Sequence, residues 1–216
     1  VSAINGIRFI DFDGQEFLFD NGHGYYSTKR FFRKLFDRAA FDHIPYLRIS
    51  GATLSEGSWH YQSVWNVGGG KAMYDLATKQ WGSTTSEGKD LRNVAFANYF
   101  PATFGGNFGI DSSSTVAQYE CIEAVSVGLG VTYIMPVNQK SIESCPLKFE
   151  IFKAIKTWEN ARAANAFSQS IKKILADETR EFHLEEINNN TWKLFEKKND
   201  RNILLETLHR DIKNGY

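Results

Sequence analysis

The feature that most constrains the fold is an alternation of short apolar segments with helical patterns over the first 177 residues. The helical pattern over residues 29–41 places Phe32, Leu35 and Ala39 on one face, with Ser27 or Thr28 as the expected N-cap. The segments expected to be strands are residues 7–13, 45–50, 101–110 and 131–137, and the other expected helices are residues 90–99, 112–128 and 146–177. Strands that alternate with helices favour a parallel sheet covered by helices, so the predicted class is α/β.

The number of strand and helix units sets the size of that sheet. A closed (β/α)8 barrel takes about 250 residues, whereas the alternation here covers about 175. Two readings stay open, an open sheet and the C-terminal part of a (β/α)8 barrel. Exposed parallel edges pair readily, so we expect the missing part of a barrel to come from a second polypeptide or a second copy, or the edges to be covered by the chain's own long loop and hairpin.

A second region begins near residue 178. Residues 181–187 and 191–197 alternate polar and apolar side chains around the turn at residues 188–190, which predicts a β-hairpin with one wet face. The predicted division is therefore a βα-repeat domain over residues 1–177 and a β-hairpin appendage over residues 178–216.

Charge and composition limit the partners. The 25 Lys and Arg residues balance the 25 Asp and Glu residues, so the chain has no basic face for nucleic acid or for an anionic membrane. Cys121 and Cys145 lack metal-site spacing, and two reduced thiols are favoured over one disulfide. Aromatic residues make up 14% of the chain, enough to thicken a core or to line a site for flat ligands such as sugars.

An ordered series of motifs resembles the C-terminal part of the barrel in large bacterial glycoside hydrolases, in the style of the endo-α-N-acetylgalactosaminidase and α-galactosidase superfamily. The series is Ile10-Asp-Phe-Asp-Gly-Gln-Glu16, Gly22-His-Gly-Tyr25, Gly128-Leu-Gly-Val-Thr-Tyr-Ile-Met135, the W-x-x-A-R-x-x-x-A-F pattern from Trp158 to Phe167, and the hairpin segments beginning at Phe182 and Thr191. The resemblance implies hydrolysis of O-glycosyl bonds, an oligosaccharide or polysaccharide substrate, and a secreted or periplasmic location.

Three carboxylates at the first strand are the candidate catalytic residues. Glycosidic cleavage usually needs two carboxylates, and barrel enzymes place them at the C-terminal ends of strands. Asp11 and Asp13 share one strand face by the period of two, and Glu16 follows closely. The alternative is that Asp13 and Gly14 form a turn and that Asp11 caps a neighbouring loop.

Five further residues are candidate substrate contacts. His23 lies between two glycines, and Arg48 interrupts an apolar strand, where a structural pair with a carboxylate such as Asp11 is the favoured reading. Trp59, His60 and Trp65 alternate with small polar residues, which suits stacking on a sugar ring or, equally, anchoring of the loop.

The sequence predicts no cofactor and no catalytic metal. Gly70 and Lys71 are followed by Ala72, which departs from the phosphate-loop pattern, and no His, Asp or Glu cluster has metal-ligand spacing. The leading hypothesis is thus a glycoside hydrolase. The alternatives are a non-catalytic glycan-binding or structural module, and an unrelated open α/β sheet, which strand order would distinguish.

Overall fold

The computed structural model describes residues 6, 8–12, 25–51, 61, 63–67, 102–104 and 109–211. The strands in chain order are β1 (Phe9–Phe12), β2 (Arg48–Gly51), β3 (Val64–Val67), β4 (Ala102–Phe104), β5 (Thr132–Tyr133), β6 (Phe182–Asn188), β7 (Thr191–Lys198) and β8 (Arg201–His209). The helices are α1 (Tyr25–Phe41), α2 (Val116–Leu129), α3 (Gln139–Ser144), α4 (Lys148–Ala163) and α5 (Gln169–Leu175). The mixture of helices and strands confirms the predicted α/β class.

The first five strands form one sheet in the order in which they occur along the chain. Each strand pairs in parallel with the next, β1 with β2 through to β4 with β5. The last three strands form a separate antiparallel sheet in the order β6, β7, β8. The predicted hairpin is confirmed as β6 and β7, and β8 adds a third strand where the sequence left residues 203–213 unassigned.

Helix α2 corresponds to the helix expected over residues 112–128, and it begins at Val116, after its cap at Thr115. The Thr115 side chain accepts from the backbone of Gln118, whose side chain accepts from the backbone of Thr115, so both halves of a capping box are present. Gly130 ends the helix in a left-handed conformation with φ of 69°, which glycine adopts without steric cost. Residues Tyr119 to Val127 are all buried, because α2 packs against α4, α5, β5 and β6.

Three sequence expectations need correction, and a fourth is untested. Helix α1 begins before Ser27 and Thr28, so neither is its cap; Thr28 is buried one turn before Phe32 and continues the apolar face. Strand β5 covers Thr132 and Tyr133 alone, and Pro136, which cannot donate to a ladder, follows shortly. Strand β3 lies inside residues 51–89, which the sequence predicts to be the long loop. The expected helix over residues 90–99 lies outside the described residues.

The expected single helical region over residues 146–177 is divided into α4 and α5. Asn165 takes a left-handed conformation with φ of 51°, and the Ser168 side chain then caps α5 by accepting from the backbone of Ile171. The sequence also missed the short helix α3, which the Asn138 side chain caps. A residue in the left-handed region interrupts a helix irrespective of the helix propensity around it.

The largest hydrophobic cluster joins the helices to the antiparallel sheet. Trp158 of α4 is fully buried and stacks on Phe167 at 5.8 Å between ring centroids. The cluster contains Ala124, Val127, Trp158, Ala161, Ala164, Phe167, Ile171, Leu175, Phe182, Leu184, Trp192, Leu194 and Leu208. The core therefore runs continuously across residue 177, and both sides of that position share their packing.

The helix α4 offers a matched test of this core. Replacing Trp158 by Ala should lower the free energy of unfolding by about 3–5 kcal/mol, since a buried indole leaves a cavity that its neighbours fill only in part. Phe149 on the same helix is 75% exposed, so Phe149→Ala should stay within about 0.5 kcal/mol of the parent. Urea unfolding of the three proteins measures both effects, and equal losses for the two variants would contradict the assigned core.

Candidate functional site

The carboxyl ends of the five parallel strands lie at one edge of the sheet, which we call the carboxyl edge. Asp11 is the third residue of β1 and stands opposite Ser50 of β2. Phe12 is the last residue of β1, and the chain leaves the strand there toward Asp13. Asp13 and Glu16 themselves lie outside the described residues, as do His23, Trp59 and His60. Of the three predicted catalytic carboxylates, the structure thus gives the strand position of Asp11.

Two predicted substrate contacts lie on described strands. Trp65 belongs to β3, where its backbone stands between Gly51 of β2 and Ala102 of β4. Arg48 is the first residue of β2, opposite Phe9, so it starts that strand at the end away from the carboxyl edge. Its side chain is exposed, so burial imposes no need for a carboxylate partner. The sequence prediction differed here, since it had the Arg48 guanidinium inside an apolar strand.

A cavity of about 290 Å³ lies beside the carboxyl end of β5. It is lined by Gly109, Ile110, Asp111, Pro136, Val137, Asn138 and Ser141. The backbones at Gly109 and Pro136 approach closely here. A Cβ atom on Gly109 would lie 2.3 Å from the carbonyl oxygen of Pro136, so a larger residue would clash at this position. Hydrogen bonds from the hydroxyl and backbone of Ser113 lower the pKa of Asp111, which favours its charged form. Asp111 was not among the predicted site residues; its place just before Ser112-Ser-Ser-Thr115 was the available signal.

A buried carboxyl group connects α2 with β5 and α4. Glu123 is fully buried; it accepts a hydrogen bond of 2.6 Å from the Tyr133 hydroxyl, and its second oxygen is 4.0 Å from Nη2 of Arg162. Arg162 also donates to the carbonyl of Val131 at 2.8 Å. Burial raises the pKa of Glu123 to about 8, although the Tyr133 hydrogen bond opposes the shift. The cavities described in this section do not include Glu123 in their walls, which points to a structural role.

A second buried carboxylate connects α2 with the antiparallel sheet. Glu120 is 1% exposed and accepts from Nδ1 of His183 at 2.7 Å, from the backbone N–H of Leu184 at 3.4 Å and from Nζ of Lys197 at 3.4 Å. The hydrogen bond to Glu120 raises the pKa of His183, and burial opposes the rise. Glu120, His183 and Leu184 border a cavity of about 450 Å³ between α2, α4 and β6. The pairing of Glu120 with His183 was not predicted from the sequence, because the two residues are 63 positions apart in the chain.

The described residues contain no group of three or more His, Cys, Asp or Glu side chains that could hold a metal ion. Cys121 and Cys145 are buried and carry no disulfide bond. None of the helices in the described part of the chain is both long and apolar enough to cross a bilayer.

Comparisons of the chain with protein-family models, with curated proteins and with solved structures give no match. The function of this chain is therefore inferred from its own topology and residues.

The buried Glu123 carboxyl makes unfolding depend on pH. Its folded pKa of about 8 lies above the ordinary value of 4.5, so the native state holds one more proton between those values. The resulting stability is complete below the lower value and is lost as pH rises through the upper one. From about pH 5 to about pH 8, the unfolding free energy should fall by about 1.4 kcal/mol per pH unit relative to Glu123→Gln, which cannot titrate.

Urea unfolding of the parent and of Glu123→Gln across that range measures the difference. Glu150→Gln, an exposed change on α4, is the matched control and should follow the parent. Parallel curves for the parent and Glu123→Gln would mean that Glu123 is charged throughout.

Proposed function

We propose that this chain hydrolyses O-glycosyl bonds with carboxylates at the carboxyl edge of a partial (β/α)8 barrel. The observation that carries the proposal is the order of the parallel strands, which is consecutive from β1 to β5. Neighbouring strands of a (β/α)8 barrel follow the chain in this way, whereas a doubly wound sheet reverses its strand order at a switch point. The strand order thus disfavours the alternative of a doubly wound open sheet.

The position of Asp11 supports the chemistry. In barrel enzymes the reacting groups come from the C-terminal ends of strands and the loops that follow them. Asp11 lies one residue before the end of β1, and Asp13 and Glu16 come next in the chain. Retaining enzymes hold two carboxyl groups about 5–5.5 Å apart, and inverting enzymes hold them about 6.5–9.5 Å apart to admit a water molecule. We assign the two catalytic roles, the general acid and the nucleophile or base, to two of the three residues Asp11, Asp13 and Glu16.

The C-terminal sheet agrees with the same architecture. Strands β6 to β8 follow the last helix directly and pack on α2 and α4 through the large hydrophobic cluster. The resemblance noted above implies such a β-rich region after the barrel, with Trp158 and Arg162 in the final barrel helix. Both residues are in α4, where Trp158 lies in the core and Arg162 contacts the residue before β5.

Replacing the proposed catalytic groups should abolish turnover without loss of folding. Asp13→Asn and Glu16→Gln should each lower the turnover of a panel of α- and β-linked nitrophenyl glycosides by at least about 100-fold, the lower range for losing a general acid or base. Asp37→Asn is the control, because Asp37 is an exposed residue of α1 that pairs with Arg33 at 3.0 Å. Release of nitrophenol gives the rate, and thermal unfolding verifies the fold.

Two results would overturn the assignment. Full activity in both carboxylate variants would remove Asp13 and Glu16 from the mechanism. Absence of hydrolysis across the panel, with oligosaccharide binding retained, would leave the non-catalytic glycan-binding module in place of the enzyme.

The tryptophans of the same region give a separate prediction. If Trp59 and Trp65 stack on sugar rings, Trp59→Ala should weaken oligosaccharide binding by about 1–3 kcal/mol, roughly a 5- to 150-fold rise in Kd. Titration calorimetry measures the change, and Phe149→Ala is an exposed aromatic control distant in sequence from the carboxyl edge. Equal affinities for Trp59→Ala and the parent would assign the indole to loop anchoring.

A further inference from the structure

Strand β6 is the edge of the antiparallel sheet that faces α2 and α4. Among the described strands, only β7 pairs with it. The backbone N–H of Lys197 donates to the carbonyl of Glu181 at 2.8 Å, which makes these two residues a hydrogen-bonded pair. Since such pairs alternate along an antiparallel ladder, the backbone groups of Phe182, Leu184 and Glu186 point away from β7.

The buried Glu120 carboxylate occupies part of this outward row. It accepts from the N–H of Leu184, which independently agrees with the deduced alternation. The next outward N–H and carbonyl belong to Glu186, whose side chain is exposed. The edge of β6 is therefore capped by a carboxylate at Leu184 and continues beyond it as strand backbone.

The continuing edge borders the cavity of about 450 Å³. This volume lies within the usual range for ligand sites, about 300–1,000 Å³. Its opposite wall is formed by α4 and the first turns of α2, and the full lining is Val116, Glu120, Glu150, Lys153, Ala154, Thr157, His183, Leu184, Glu185 and Glu186. The groove thus has backbone donors and acceptors on one side and a helix face on the other.

The charges that remain unbalanced in this groove are negative. Glu120 already contacts His183 and Lys197, so its charge is compensated. The lining holds four carboxylates, Glu120, Glu150, Glu185 and Glu186, against Lys153 and a His183 whose Nε2 also lies 3.6 Å from Glu185. A bound segment with cationic side chains would complement this charge.

We propose that the groove binds an extended basic peptide segment, which adds a strand to the edge of β6. Strand addition gives affinity through backbone hydrogen bonds and specificity through alternate side chains. Strand β6 buries Phe182 and Leu184 and presents His183 and Glu185 on its other face. An added strand follows the same alternation, so the matching ligand has apolar residues toward the core and Lys or Arg toward Glu185.

The first experiment uses a defined probe, the fluorescein-labelled pentapeptide Lys-Val-Lys-Val-Lys, with fluorescence polarisation of the 216-residue chain. The probe should bind at least about tenfold more tightly than Glu-Val-Glu-Val-Glu. Two isomers carry N-methyl groups on the Lys amides or on the Val amides. One isomer should lose at least about tenfold in affinity, because only one set of amides faces β6.

Variants of β6 then locate the site. Glu186→Pro removes the outward N–H at the last regular pair before the β-bulge between Glu186 and Asn188, and should raise Kd at least about tenfold. Glu185→Lys reverses a charge in the groove and should do the same even if the proline variant fails to fold. Glu206→Lys is the matched control, since Glu206 is an exposed residue of β8 at the other edge of the sheet, and it should leave Kd unchanged.

Three results would overturn the proposal. Equal binding of the two N-methylated isomers and of the unmethylated peptide would indicate a site for cationic side chains instead of strand addition. Loss of binding in Glu206→Lys with retention in Glu185→Lys would move the peptide to β8. Lack of measurable binding at about 1 mM probe would mean that the groove takes no basic strand.

Discussion

The rest of the structure depends on the burial of helix α2, and two carboxyl groups on this helix set its surroundings. Glu120 faces the antiparallel sheet and accepts from His183, Leu184 and Lys197. Glu123 faces β5 and α4, where it meets Tyr133 and Arg162. A buried carboxyl group is costly unless hydrogen bonds or protonation compensate it, so each of these contacts fixes a neighbour against the helix.

Burying a carboxyl group costs free energy, and the surroundings of Glu120 and Glu123 offset this cost in different ways. Glu120 is surrounded by donors, two of which carry or can carry a positive charge. Glu123 has one strong donor and a guanidinium at 4.0 Å, and burial raises its pKa to about 8. Helix α2 thereby joins the parallel sheet, through β5, to the antiparallel sheet, through β6. The acidic groove lies where α2 and α4 meet β6.

The accuracy of the sequence predictions follows the range of the interactions involved. The helix expected over residues 112–128 was found as α2, Val116–Leu129, because a capping box and a left-handed glycine act within a few residues. The hairpin of β6 and β7 was correct for a similar reason, since a period of two repeats over each strand. The division of α4 from α5 is an exception, since its signals are local: Asn adopts the left-handed conformation of Asn165 more readily than most residues, and the Ser168 side chain caps α5. The short β3 was missed because its pairing with β2 and β4 is nonlocal.

The sequence by itself determined the α/β class, the helix α2, the hairpin and the strand that carries Asp11. These features come from periodicity and local backbone chemistry, which the order of residues encodes directly. Tertiary structure alone decided the consecutive order of five parallel strands, the core shared across residue 177 and the meeting of Glu120 with His183. Contacts of this kind join residues far apart in the chain, and their free energy comes from burial that exists only after the helices and sheets have packed.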